Sequence, residues 1–321
     1  MKKDSKIFIA GHNGMVGSSI LRLLKKEGYT NVITKDKKYL NLKDKNSVIE
    51  FFKNEKPEYV FLCAAKVGGI NFNLKNPSEF LYDNLEIQNN VIHESYMSGV
   101  KKLCFLGSSC IYPKNSPQPI KEEYLLTGPL EPTNEGYSLA KIAGLKMCQY
   151  YKKQHNFNTI SLMPCNLYGP NDSFDLEKSH VLSALVRKFV DACDQGLESI
   201  TLWGTGVALR EFIHVDDLSK ICVYLMNNYN ESEHINVGCG KEISIKNLAE
   251  IIANKTGFKG TINWDSSKPD GMLRKCLNVD KISELGILPK ISINDGIENM
   301  INIYKNIKII DDTFNEEYIS Q

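Results

Sequence analysis

The segment that most constrains this chain is a short apolar run followed at once by spaced glycines. Residues 6–10 read Lys-Ile-Phe-Ile-Ala, which is typical of a buried strand, and they continue into Gly11, Gly14 and Gly17. An apolar helical pattern follows, and Gly28 predicts its end. In a strand–turn–helix unit, such glycines permit a tight turn, close backbone approach to a pyrophosphate and close helix packing. With the free N–H groups at the start of the helix, the segment predicts a dinucleotide-binding site.

Strand-type and helix-type segments alternate through the first half of the chain. Strands are predicted at residues 31–34, 59–65, 102–106 and 159–163, and helices at 47–54, 79–98 and 137–155. Repeated units of this length predict the α/β class, with a Rossmann-like, doubly wound parallel sheet. Ligands of such sheets bind at the carboxyl ends of the strands, where Gly11, Ala64, Ser108 and Pro164 fall.

The alternation becomes less regular beyond residue 165. Helices are predicted at 180–193 and 245–256, and strands at 199–203, 234–237 and 261–264. We therefore predict a dinucleotide-binding Rossmann domain over residues 1–165 and a smaller α/β substrate-binding lobe over 166–321. Residues near 210–240 are expected to cross back to the first domain.

A serine turn and a downstream Tyr-x-x-x-Lys motif point to proton transfer. Ser108 and Cys110 lie in the sequence Gly-Ser-Ser-Cys-Ile-Tyr-Pro, and Tyr137 and Lys141 are four residues apart on one helix face. A phenol beside a fixed cation and a serine hydroxyl can deliver a proton to a carbonyl oxygen, and we expect Lys141 to lower the pKa of Tyr137. Alone, the pair is more often a half-buried tyrosine and an exposed lysine. The glycine-rich start and the serine turn favour catalysis.

Composition excludes several classes of protein. A net charge of +1 gives no general attraction to nucleic acid or to an anionic membrane, and no apolar run reaches the ~18 residues of a spanning helix. Nine cysteines without a Cys-x-x-Cys pair predict reduced thiols and no metal site. The chain enters its first strand almost at once, so we expect no signal peptide and a cytoplasmic protein.

These motifs resemble those of the extended short-chain dehydrogenase/reductases and, within them, the GDP-L-fucose synthase family. The resemblance covers nearly the whole chain. It rests on ordered blocks at residues 11–17, 64–70, 106–114, 131–135, 166–170, 179–181, 210–217 and 268–271. It implies a homodimer that is joined through the predicted helices 79–98 and 137–155.

The resemblance also implies a reaction on a GDP-linked 4-keto-6-deoxy sugar, with epimerisation at C3 and C5 followed by reduction at C4. By that resemblance Cys110 is the base and His180 the acid of the epimerisation. Tyr137 protonates the C4 oxygen, Ser108 holds it, and Lys141 bonds the nicotinamide ribose. A buried structural thiol and a helix-capping histidine are the ordinary alternatives for Cys110 and His180.

Binding residues follow from the same resemblance. Cofactor contacts are expected at Gly11, Asn13, Gly14, Met15, Val16, Gly17, Lys37, Asn41, Leu42, Ala64, Ala65, Leu106, Gly107, Ser108, Tyr137, Lys141, Pro164, Asn166, Leu167 and His180. Contacts with the GDP sugar are expected at Lys188, Trp203, Arg210 and Asp270, where Arg210 suits a diphosphate. The ordinary alternatives are a solvated Lys188, a core Trp203, and an ion pair of Arg210 with Asp216 or Asp217.

The cofactor is expected to be NADP(H), although the motif departs from the family pattern. Asn13 stands where the family commonly has an arginine that contacts the 2′-phosphate of NADP. Lys35 and Lys37 could replace that charge, whereas Asp36 between them could favour the free ribose hydroxyl of NAD.

Further departures keep other functions open. Gly136 replaces a usual proline, and residues 171–178 differ from the family's usual His-Asp-Asn-Phe-His-Pro stretch. One alternative is therefore a C4 reductase of a GDP-4-keto-6-deoxy-heptose that works with a separate epimerase. A nucleotide-sugar 4,6-dehydratase is disfavoured because such enzymes carry Thr-Asp-Glu at residues 108–110. A non-catalytic cofactor-binding regulator is disfavoured by the intact Tyr137 and Lys141.

Overall fold

The computed structural model describes residues 1–176 and 179–319, with side chains described up to residue 309. Glu177 and Lys178, which end the divergent stretch 171–178, lie outside the described residues. The strands are β1 (Ile7–Ala10), β2 (Val32–Ile33), β3 (Tyr59–Leu62), β4 (Lys102–Leu106), β5 (Thr159–Pro164), β6 (Asn166–Tyr168), β7 (Ser199–Trp203), β8 (Leu209–His214), β9 (Ile235–Val237), β10 (Glu242–Ser244), β11 (Thr261–Asp265) and β12 (Arg274–Lys275). The α-helices are α1 (Met15–Lys26), α2 (Lys45–Glu55), α3 (Ile70–Lys75), α4 (Pro77–Met97), α5 (Glu135–His155), α6 (Val181–Asp194), α7 (Val215–Asn228), α8 (Ile245–Thr256), α9 (Asp280–Glu284) and α10 (Ile293–Ile319).

A six-stranded parallel sheet forms the centre of the molecule, in the order β2-β1-β3-β4-β5-β9. Its strands are apolar and almost wholly buried, as expected for a sheet covered on both faces. From β1 the chain moves to β2 on one side and then crosses to β3 on the other, so the topological switch point lies between β1 and β3, and the carboxyl ends of these two strands open into one crevice. The predicted Rossmann-like sheet is confirmed, and β9 is the returning segment that completes it.

Helices cover both faces of this sheet. The long helices α4 and α5 pack side by side, and α1 packs against α7. Gly28 ends α1 in the left-handed region, at φ +81°. The ammonium of Lys102 donates hydrogen bonds to the carbonyls of Leu225, Met226 and Tyr229, and so ties the end of α7 to β4.

The second part of the chain builds its own apolar core. β8 pairs with β6, β10 and β12, and β7 pairs with β11. Helices α6, α8 and α10 pack together around residues such as Phe189, Ile252 and Met300, which are fully buried. The sequence analysis did not predict α10. None of the helices described in this chain has both the length and the apolar character that crossing a membrane requires.

Candidate active site

The glycine turn brings backbone atoms unusually close together. Gly11 has φ +90°, and a Cβ at this position would lie 2.7 Å from the backbone nitrogen of Ala64. A Cβ on Gly17 would lie 2.2 Å from the carbonyl oxygen of Gly11. Helix α1 starts after Gly14 with no side-chain cap, so its first N–H groups are free to bind an anion. The geometry therefore fits a pyrophosphate at this end of the cleft.

A cleft with a volume of about 660 Å³ runs along the carboxyl ends of β1, β3, β4 and β5. Such a volume is typical of small-molecule and cofactor sites. The structure places every predicted cofactor contact along it: Gly11, Asn13, Gly14, Met15, Val16, Gly17, Lys37, Asn41, Leu42, Ala64, Ala65, Leu106, Gly107, Ser108, Tyr137, Lys141, Pro164, Asn166, Leu167 and His180. No cluster of His, Cys, Asp or Glu suited to a metal ion occurs in the part of the chain that the structure describes.

Charged groups surround the end of the cleft that follows β2. Asn13 donates a 2.7 Å hydrogen bond from Nδ2 to Oδ1 of Asp36, so this carboxylate is already engaged. Lys35 and Lys37 both line the cleft, and Lys35 also forms a 3.3 Å ion pair with Glu55. The arrangement offers the Lys37 ammonium to a phosphate, while one oxygen of the Asp36 carboxylate is occupied by Asn13.

The serine, tyrosine and lysine meet where β4 ends against α5. Ser108 caps a short 3₁₀ turn, and its Oγ accepts a 3.3 Å hydrogen bond from the backbone N–H of Cys110. The buried ammonium of Lys141 donates a 2.7 Å hydrogen bond to the carbonyl of Leu106 and lies 5.8 Å from the centre of the Tyr137 ring. The three side chains therefore face one part of the cleft.

Burial dominates the electrostatics of this group. Desolvation raises the pKa of Tyr137, with a further increase from Cys110 and an opposing effect of the Ser108 hydroxyl. Desolvation also lowers the pKa of Lys141 to about 8. The net shift of the Tyr137 pKa is upward because of burial, and Lys141 is not among the groups that shift it, so the lowering of this pKa by Lys141 stays a prediction. Tyr137 is held protonated, which is the form that can donate a proton.

Cys110 and His180 occupy different positions relative to the cleft. Cys110 is 6% exposed and is not among the residues that line the cleft, and it interacts electrostatically with Tyr137 and Lys141. His180 lines the cleft and precedes α6, and its imidazole makes no capping hydrogen bond. Burial raises the pKa of the Asp172 carboxylate. The nearby His180 acts in the opposite direction but is the weaker influence. Sequence reasoning assigned no role to Asp172.

The four predicted sugar contacts lie outside the 660 Å³ cleft. Lys188 donates a 3.2 Å hydrogen bond to the carbonyl of Thr201, next to β7. Trp203 is 50% exposed, so the alternative of a core tryptophan is wrong. Arg210 donates a 3.0 Å hydrogen bond to the carbonyl of Asp270. The structure therefore brings Arg210 and Asp270 together beside the end of β7.

The alternative ion pair of Arg210 with Asp216 or Asp217 is also wrong. Asp216 bonds Arg22 at 3.0 Å, and Asp217 bonds Lys220 at 3.0 Å. Burial lowers the pKa of Arg210, with Asp270 as the largest opposing influence. The guanidinium thus retains donors for an anionic ligand.

Sequence reasoning missed several residues that line the cleft, including His12, Lys43, Lys66, Asp83 and Lys275. Lys66 bonds Glu79 and, at 3.3 Å, Asp83. Lys275 carries no local motif, and it reaches the cleft only because β12 pairs with β8. Its position in the cleft depends on tertiary structure and could not be predicted from the sequence.

A doubly wound dinucleotide fold that sets a serine, a tyrosine and a lysine at one strand end defines an NAD(P)-dependent oxidoreductase of the short-chain type. Residues 7–238 match the model of the NAD dependent epimerase/dehydratase family. With the relatives described next, this match shows that the chain belongs to that family and, within it, to the GDP-L-fucose synthase family.

Relatives of known name match the chain over most of its length. The chain is 54% identical to a putative GDP-L-fucose synthase 2 from Arabidopsis thaliana, over 95% of this chain and 93% of that protein. It is 45% identical to the GDP-L-fucose synthase of Escherichia coli (strain K12), over 91% and 94%. A solved GDP-6-OMe-4-keto-L-xylo-heptose reductase from C. jejuni has 39% identity and a TM-score of 0.91, over 95% of this chain and 99% of that one.

Proposed function

We propose that this enzyme reduces the C4 ketone of a GDP-linked 4-keto-6-deoxy sugar with NADPH, after the same site has epimerised C3 and C5. The observation that carries the proposal is the arrangement of Cys110 beside Ser108, Tyr137 and Lys141, with His180 on the cleft wall. The names of the relatives support the same activity.

In the reduction, bound NADPH supplies the hydride that reaches C4. Tyr137, held protonated by burial, donates its proton to the C4 oxygen, and Ser108 hydrogen-bonds that oxygen. Lys141 uses one of its protons on the carbonyl of Leu106, which leaves donors for the ribose of the cofactor.

In the epimerisation, the C4 ketone acidifies the hydrogens on C3 and C5. The Cys110 thiolate removes one of these protons, and the C–H electron pair moves onto the C4 oxygen to give an enolate. His180 then returns a proton to the opposite face of the carbon, and the electron pair moves back to restore the ketone. Substrate and product differ only in configuration, so no electron donor is consumed.

The choice of NADP(H) rests on the charges near β2 and on two solved relatives. Lys37 lines the cleft, and Asn13 engages Asp36. A GDP-mannoheptose C4 reductase from Campylobacter jejuni, 40% identical, was solved with NADP bound, as was a GDP-L-fucose synthetase from Naegleria fowleri. We therefore assign NADP(H) as the cofactor of this chain.

A second candidate is a C4 reductase of a GDP-linked 4-keto heptose that performs no epimerisation. Two solved heptose reductases, at 39% and 40% identity, favour it, as does the divergent stretch that begins at Asn171. In this case Cys110 and His180 would shape the pocket only.

The decisive experiment incubates the enzyme with NADPH in D₂O and either GDP-4-keto-6-deoxy-mannose or its heptose counterpart. Product NMR is expected to show the C4 alcohol with deuterium at C3 and C5 from the mannose derivative. Reduction without deuterium would overturn the epimerisation and favour the second candidate. No oxidation of NADPH with either sugar would overturn the reductase itself.

We also propose a cytoplasmic homodimer that acts without membrane or nucleic acid in the synthesis of polysaccharide sugars. Helices α4 and α5 expose Tyr82, Met97 and Tyr150, each to 62%. Such exposed apolar residues on adjacent helices suit a self-complementary interface. Light scattering is expected to give twice the chain mass of 36.3 kDa, and a monomeric mass at micromolar concentration would contradict it.

A further inference from the structure

Two loops that border the cofactor cleft are fastened to helix α4. The loop after β2 carries Asn41 and Leu42, and the loop after β3 carries Ala64 and Ala65, all of which line the cleft. Asp83, in α4, lines the same cleft. It has no part in the proposed reaction and is not among the predicted cofactor contacts.

The carboxylate of Asp83 is joined to both loops. Its Oδ1 accepts a 2.7 Å hydrogen bond from the ammonium of Lys43, in the loop after β2. Its Oδ2 lies 3.3 Å from the ammonium of Lys66, in the loop after β3. The hydrogen bond from Lys43 is the largest influence on the pKa of Asp83 and lowers it, so the carboxylate is ionised at neutral pH. The two oxygens of one carboxylate therefore bridge the two loops.

The backbones of the same loops are held by asparagines of α4. Asn84, which is 2% exposed, accepts a 2.8 Å hydrogen bond from the backbone N–H of Lys66 and donates one of 3.0 Å to its carbonyl. Asn90 donates to two carbonyls of the loop after β2, at 3.0 and 3.2 Å. Asp83 and Asn90 are about two helical turns apart, so they lie on one face of the helix. Helix α4 thus supports both loops, and Asp83 connects them through their side chains.

A bridge of this kind matters most in the protein without cofactor. Loops that border a cleft lose conformational freedom when a ligand binds between them, and this loss weakens binding. A contact that already holds the loops lowers the cost, because less freedom remains to be lost. The Asp83 side chain is 21% exposed, so solvent screens its ion pairs less than those of a fully exposed carboxylate.

We infer that Asp83 is a positioning residue for the cofactor, whose carboxylate holds the loops after β2 and β3 at the spacing that a dinucleotide requires. The inference rests on the assignment of NADP(H), but not on the identity of the sugar or on the epimerisation. NADPH and NADH share the dinucleotide that these loops border. Loss of the bridge is therefore expected to weaken the binding of both, whereas the 2′-phosphate distinguishes them.

The first measurement uses the protein without cofactor. Hydrogen exchange, followed by mass spectrometry, compares the amides of residues 36–44 and 64–70 in the wild type and in two variants. D83N is expected to exchange faster in both segments by up to about fivefold, the effect of losing a partly exposed ion pair on each. K43M is expected to exchange faster in residues 36–44 alone, because the pair between Asp83 and Lys66 remains.

The second measurement is the affinity for each nucleotide, by fluorescence titration. In D83N, the Kd values for NADPH and NADH should rise by a similar factor, about three- to tenfold if both ion pairs contribute. D83E keeps the charge and should restore most of the affinity. E79Q is the matched control, because Glu79 also bonds Lys66 from α4 but is not among the residues that line the cleft. It should leave both Kd values and the exchange of residues 36–44 unchanged.

The outcomes separate the bridge from general stability. Unchanged exchange in both segments of D83N, or unchanged Kd values, would overturn the inference. A loss of affinity that D83E does not restore, or that E79Q reproduces, would also overturn it. If D83N does not fold, the exchange of K43M decides, since the inference requires a faster rate in residues 36–44 alone. A wild type that binds neither nucleotide refutes the cofactor assignment, while the exchange of the two segments still decides whether Asp83 holds the loops.

Discussion

The ammonium of Lys141 donates a 2.7 Å hydrogen bond to the carbonyl of Leu106, and this bond joins helix α5 to the last residue of β4. Because Tyr137 is one helical turn before Lys141, the same bond fixes the phenol relative to Ser108, which follows the strand. The proposed catalytic group is thus held by two regular elements rather than by a flexible loop.

The first prediction concerns the proton donor. Tyr137→Phe removes the phenolic proton and should lower the turnover of NADPH by ~10²–10⁴-fold, the usual value of a positioned general acid. Deuterium uptake at C3 and C5 should fall much less, because Cys110 and His180 carry out the proton transfers of the epimerisation and the phenol contacts only the C4 oxygen. Stopped-flow absorbance and NMR measure the two steps. Tyr224→Phe, on the distant helix α7, is the control, and equal loss in both steps would contradict the separation of roles.

The second prediction concerns the glycine turn. Gly17→Ala places a Cβ 2.2 Å from the carbonyl oxygen of Gly11, which has to move. Overpacking of this kind costs ~1–3 kcal/mol in stability, and the shifted turn should weaken NADPH binding. Calorimetric titration measures the affinity and thermal unfolding the stability. Gly128→Ala is the matched control, since its Cβ would meet Pro113 at an ordinary 3.4 Å.

Much of the site could be predicted from the sequence because its parts are local. The glycine turn, the serine turn and the helical Tyr137–Lys141 spacing each depend on residues close in sequence, and the structure brings them to one sheet edge. Helix α8 has the predicted bounds for the same reason. The raised pKa of Tyr137 could not be predicted, because desolvation depends on the packing of distant segments.

Residues brought in by strand pairing were missed. Lys275 reaches the cleft through the pairing of β12 with β8, a contact between segments more than sixty residues apart in the chain. Asp172 was missed because its partners are distant in the sequence. His180, which precedes α6, and Ser183, in α6, come close to Asp172 only in the folded chain. Long-range pairing of this kind leaves no periodic signal in a single sequence.

The third prediction concerns stability in acid. His234 is buried, its Nε2 lies 3.1 Å from the Tyr112 hydroxyl, and burial lowers its pKa to about 4. Between pH 6.5 and 4, this histidine is protonated in the unfolded chain, where its pKa is near 6.5, but stays neutral in the folded state. The free energy of unfolding therefore falls as the pH drops from 6.5 to 4. The loss approaches ~3 kcal/mol, since one pKa unit corresponds to ~1.4 kcal/mol. Urea unfolding at several pH values measures this dependence. In His234→Gln, the free energy of unfolding should fall less steeply between pH 6.5 and 4. In His155→Gln, at an exposed position, it should change with pH as in the wild type.

The last prediction concerns the choice between NADPH and NADH. Lys37 lines the cleft where a 2′-phosphate would lie, and the neighbouring Asp36 carboxylate is engaged by Asn13. Lys37→Met should therefore raise the Kd for NADPH by ~10-fold or more, the effect of losing one charge-assisted hydrogen bond, and leave the Kd for NADH unchanged. Lys38→Met is the matched control, because Lys38 lies over the ring of Tyr39 and outside the residues that line the cleft. Fluorescence titration with both nucleotides measures the ratio. An equal weakening of both would mean that Lys37 supports the loop rather than the phosphate, and tighter NADH binding in the wild type would assign the cofactor to NAD.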